Sequence, residues 1–179
     1  MTDFQVHTLE SAPERSRPLM ERLQGTLGML PNLAATFSES PEAIGAFAAV
    51  REVLSGGTFT PAESQVLTLT NATMNGTSYC AALHATFALK LGVAPESVAA
   101  IRAGRAPKEP KLAALVAFSR ALIEARGKVS PAQLDAFLSA GHTKAQALEV
   151  IATLALSTVA NYAEHLTHPP VEELFRPQV

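Results

Sequence analysis

The chain has 179 residues, with 47% apolar and 17% charged side chains and a formal net charge of −2. This is enough apolar material for a large core and too little charge for disorder. No basic cluster supports a general grip on nucleic acid, and no run reaches the roughly 18 apolar residues of a membrane span. The start, MTDFQVHTLE, lacks the basic and apolar regions of a signal peptide. The expected location is therefore the cytoplasm, and the sparse surface charge suits an oligomer. A single cysteine, Cys80, excludes an internal disulfide.

Taken in chain order, the signals are helical throughout. Residues 13–28 carry Leu19, Leu23 and Leu27 on one stripe. Short helices start at Pro31 and Pro41. The second carries Ile44, Phe47, Ala48 and Val50 and ends at Gly56-Gly57. Thr60-Pro61-Ala62-Glu63 reads as an N-cap, a proline at N1 and a capping-box glutamate. That helix continues to the turn signal Asn75-Gly76. A second helix runs from Thr77 to Gly92, so residues 61–91 form a helical hairpin. Further helices are expected near 95–103, 111–126 and 131–140. Thr143-x-x-Gln146 opens a long one that stops before Pro169-Pro170. The tail, VEELFRPQV, reads as an arm that packs on a neighbour or stays loose.

The expected fold is all-α, one domain over 1–179 with its core at 41–126. An N-terminal helical arm covers 1–40, and the long helix at 143–167 carries the tail. On the hairpin, Cys80 and His84 are four residues apart and share a helix face. With Thr77 as N-cap, Cys80 falls in the first turn, where free N–H groups and the helix dipole favour a thiolate. A lowered thiol pKa is expected there, against the plainer reading of a buried, inert cysteine. His7, His142, His165 and His168 have no ligand spacing, so no metal or cofactor is expected.

The stretch from Phe59 to Val93, FTPAESQVLTLTNATMNGTSYCAALHATFALKLGV, resembles the core of the carboxymuconolactone decarboxylase / alkylhydroperoxidase D (AhpD-like) superfamily. Asn161-Tyr162-Ala163-Glu164-His165 resembles a stretch of its peroxidase-related members. The resemblance implies a Cys-x-x-Cys pair, an adjacent histidine and a proton-accepting glutamate. Cys80 and His84 match; Thr77 stands at the first cysteine and Gln65 at the glutamate. A helical rise of about 1.5 Å sets His84 roughly 13 Å and Gln65 roughly 16 Å from the hairpin turn. The two are level, which suits a relay from Gln65 through His84 to Cys80. Glu63 faces away from Gln65 and reads as a cap.

Three functions follow from the resemblance. One is a peroxidase-like thiol oxidoreductase in which Cys80 attacks a peroxide and an external thiol reductant restores it. Another is a non-redox, decarboxylase-like enzyme acting on a small carboxylate or lactone through His84. The third is a catalytically silent relative that keeps the fold. The candidate catalytic group is Cys80, His84 and Gln65, with Thr77, Tyr79 and His165 as substrate contacts. The resemblance also implies a homotrimer, or a hexamer of trimers.

Overall fold

A computed structural model describes residues 4–178. Among them lie nine α-helices and no strand: α1 (Arg17–Leu27), α2 (Asn32–Phe37), α3 (Pro41–Ser55), α4 (Pro61–Met74), α5 (Ser78–Lys90), α6 (Pro95–Arg102), α7 (Pro110–Glu124), α8 (Pro131–Ser139) and α9 (Lys144–Thr167). None is long and apolar enough to cross a membrane. The punctuation is local and chemical. Thr60/Glu63, Ser130/Gln133 and Thr143/Gln146 each close a full capping box, satisfying donors that a helix start leaves free. Proline occupies the first turn of α3, α4, α6, α7 and α8, where its missing N–H costs nothing.

The hairpin α4–α5 is the centre of the molecule. Gly76, at φ +68°, turns the chain between its two helices in a conformation other residues resist. Helices α5, α6, α7 and α9 all pack against α4. Val66, Leu67, Leu69 and Ala72 are wholly enclosed. Within this apolar packing, Asn71 donates from Nδ2 to Ser157 Oγ (3.0 Å), and Ser119 Oγ donates to Asn71 Oδ1 (2.7 Å). The three side chains fix the register of α4, α7 and α9, since mispairing would leave buried polar atoms unsatisfied.

Both ends of the chain depart from the arms expected of them. Met20, Leu23, Leu33, Ala34 and Phe37 of α1 and α2 belong to the hydrophobic core. The tail folds back onto its own chain and ends in a 3-10 turn at Arg176–Gln178. Phe175 is fully buried, its ring centroid 6.3 Å from Tyr79 and 5.9 Å from Phe87. The apolar side chain of Phe175 makes the difference: a loose tail would leave that ring in water.

Candidate functional site

Helices α3, α4, α5 and α9, with the segment 27–34, enclose a cavity of about 380 Å³. Its wall is mainly apolar, including Leu33, Phe47, Leu54, Phe59, Leu83 and Phe87. Cys80, His84, Gln65 and Tyr79 all line it. Thr77 and His165 do not.

His84 sits one turn beyond Cys80 on α5, and its Nδ1 is 2.9 Å from Gln65 Oε1 on α4. An amide oxygen only accepts, so Nδ1 carries the proton and Nε2 keeps its lone pair. Burial, and then the Arg51 guanidinium, holds the imidazole down at about 3, well below its ordinary 6.5. The ring is therefore neutral at physiological pH, a weak base able to accept a hydrogen bond.

Cys80 contradicts the expectation of a lowered thiol pKa. The first turn of α5 does present free N–H groups, but a carboxylate already takes them. Glu164 of α9 accepts from Tyr79 N (2.8 Å) and Cys80 N (2.9 Å), one bond on each oxygen. The helix dipole thus stabilises Glu164 rather than the sulfur. Burial, and then the neighbouring Glu164 charge, pushes the thiol up instead of down. The resting sulfur is a protonated thiol. No hydrogen bond joins it to His84, so the expected relay is present only in its first link, from Gln65 to His84.

Thr77 is buried at the N-cap, but its hydroxyl makes no capping bond to α5. It donates instead to Ala72 O across the hairpin turn (3.0 Å). Glu164 already serves the N–H groups that such a cap would have served. His165, adjacent to Glu164, points to the outer face and meets Asn75 O at 2.8 Å from Nε2. It braces the hairpin turn and does not contact the cavity. Glu63 is the cap expected of it, and it also pairs with Lys111 Nζ at 2.8 Å. Tyr79 does line the cavity, with its hydroxyl fully engaged. That group donates to Glu172 Oε1 (2.8 Å) and accepts from Leu33 N (3.3 Å), while Glu172 Oε1 also accepts from Asn32 N (2.6 Å).

Three groups escaped sequence reasoning. Glu164 follows Val150, Thr153, Ser157, Ala160 and Asn161 on the buried face of α9, so its helical spacing was a readable sign. Arg51 interrupts the face of α3 that carries Ile44, Phe47 and Leu54. Glu172, 93 positions from Tyr79, had no local signal.

The comparisons with known proteins fit this architecture. Residues 41–121 match the model of the carboxymuconolactone decarboxylase family. Among solved structures, an uncharacterized peroxidase-related protein from Ralstonia eutropha JMP134 with an alkylhydroperoxidase AhpD core superposes with a TM-score of 0.84. It is 21% identical, over 96% of this chain and 93% of that one. An uncharacterized peroxidase-related protein from Silicibacter sp. TM1040 has a TM-score of 0.79 and 18% identity, over 98% and 93% of the two chains. The debrominase Bmp8, as a cysteine-to-alanine variant in complex with 2,3,4-tribromopyrrole, gives the same score and identity over 99% and 96%. A search of curated proteins gives no match.

Proposed function

We propose that the chain is a member of the carboxymuconolactone decarboxylase / AhpD-like superfamily, whose model its residues 41–121 match, and that it is a one-cysteine oxidoreductase reducing small organic hydroperoxides. The observation that carries this reading is the cavity itself: the sole cysteine opens into the same apolar space as a neutral, oriented histidine. Such a space takes a small organic molecule and excludes bulk water from the sulfur. The solved relatives include peroxidase-related proteins.

The raised thiol makes the reaction depend on a base. Cys80 loses its proton to Glu164, the carboxylate beside it, as the sulfur attacks the terminal peroxide oxygen. The S–O bond forms and the O–O bond breaks. The proton passes to the departing alkoxide, leaving an alcohol and a sulfenic acid at Cys80. Two external thiols then reduce the sulfenic acid, releasing water and a disulfide. His84 accepts a hydrogen bond from the hydroperoxide at Nε2, and Gln65 is the positioning residue that fixes its tautomer.

The test is a sulfenic-acid trap with dimedone after exposure to an organic hydroperoxide. Wild-type protein should be labelled at Cys80 and should turn over with dithiothreitol, and Cys80→Ser should do neither. Absence of both label and turnover in the wild type would overturn the reading. A second reading has one specific support, the protonated thiol. It is an acid/base enzyme on a small carboxylate, in which Cys80→Ser keeps activity and His84→Ala loses it.

The protein acts in the cytoplasm as a homotrimer or a hexamer of trimers, in this reading. Support comes from α9, where Leu148, Ile151, Val159, Tyr162 and Leu166 form an exposed apolar stripe at helical spacing.

A further inference from the structure

One wall of the cavity carries a cation without a counter-ion. Arg51 projects from α3 among Phe47, Leu54 and Phe59, and no carboxylate of the described residues pairs with it. Its Nε is buried without a hydrogen-bond partner. Glu52, next in sequence, pairs with Arg22, and Glu149, which lines the same cavity, accepts from Thr58 N and forms no salt bridge to Arg51. Arg51 is half-buried, and the hydration lost at its buried Nε is not replaced by any protein partner. On α9, Asn161 lines the same space at 2% exposure, and its Nδ2 also lacks a partner. Two helices, α3 and α9, therefore hold unused donors in one mainly apolar cavity.

From these two orphaned donors and the apolar body of the cavity, we infer that the site recognises an amphipathic organic acid, with Arg51 binding its carboxylate and Asn161 a further oxygen. A guanidinium matches a carboxylate with parallel N–H donors. A cavity of about 380 Å³ is within the range of small-ligand sites. It suits one carboxylate on an alkyl chain of medium length. The inference deepens the proposed function, resting on this cavity being the substrate site: the hydroperoxide would be one carried on such an acid. Arg51 is then the residue that sets specificity.

The probes are octanoate and octanamide, equal in size and differing in charge, titrated calorimetrically into the full-length protein. Octanoate should bind at least about tenfold more tightly, about 1.4 kcal/mol. Arg51→Gln should erase the preference, and Arg51→Lys should keep part of it. Because the two ligands are compared within each variant, general damage to the fold cannot mimic the result. Arg51→Gln also removes a half-buried charge that has no salt-bridge partner, so its melting temperature should stay level or rise. Equal affinity of the two ligands in the wild type, or an undiminished preference in Arg51→Gln, would overturn the inference. The dimedone trap reads the redox reaction separately. An acid preference lost in Arg51→Gln, with no sulfenic acid at Cys80, would leave this inference standing and remove the peroxidase. Labelling of Cys80 without an acid preference would do the reverse.

Discussion

Replacing Gln65 with glutamate tests the electrostatic design most directly. In the folded protein His84 titrates at about 3, against 6.5 when solvated. Below pH 6.5 the unfolded chain therefore binds a proton that the folded one refuses. Stability is complete above that pH and is lost as pH falls towards 3. Between pH 8 and pH 5 the loss from this one ring is about 2 kcal/mol, at about 1.4 kcal/mol for each pH unit below the unfolded value. Gln65→Glu sets a negative charge where an amide oxygen now lies 2.9 Å from Nδ1. An opposite charge at such a contact raises a histidine by about 1 to 3, bringing His84 to about 4–6. At the upper end, the loss between pH 8 and pH 5 shrinks to about 0.6 kcal/mol. The assay is NMR titration of the His84 ring, with denaturant unfolding at both pH values. A wild-type His84 titrating at or above 6.5, or one unmoved by Gln65→Glu, would refute the reasoning.

Glu164→Gln should lower the Cys80 thiol pKa and speed its alkylation by iodoacetamide near pH 8, measured by mass spectrometry. The same change leaves one of two α5 N–H groups without an acceptor, costing about 1–3 kcal/mol in denaturant unfolding. Phe175→Ala should destabilise the chain by about 3 kcal/mol, read from the same unfolding curves, because a fully buried ring is removed. Leu148→Glu combined with Leu166→Glu charges the exposed stripe of α9. Light scattering should then report monomers where the wild type reports an oligomer.

What could be read from the sequence was what lies within one turn or one hairpin. A capping box spans four residues, so Thr60 and Glu63 declared the start of α4 without reference to anything distant. The pairing of Gln65 with His84 followed from counting helical rise on either side of Asn75-Gly76. The thiol pKa could not be read this way. Position in the first turn of α5 does favour an anion, but another anion, Glu164, arrives from 84 residues away and takes the place. The Thr77 hydroxyl was displaced by the same carboxylate. Arg51 and the tail were obscure for a related reason, since both depend on which helix faces are brought together across the molecule.

The bracing of Tyr79 has a consequence for how the molecule opens. Its hydroxyl is held by Leu33 from one end of the chain and Glu172 from the other, and Asn32 Nδ2 also donates to Pro170 O at 2.9 Å. These contacts close loops of 46, 93 and 138 residues, so they form late in folding and add little to the nucleus. The capped hairpin, by contrast, needs only local closure. Amide hydrogens of 32–37 and 170–178 should therefore exchange through partial openings, while those of α4 wait for global unfolding. The cavity wall would then part along the seam where the two chain ends meet, with the α4–α5 hairpin still intact.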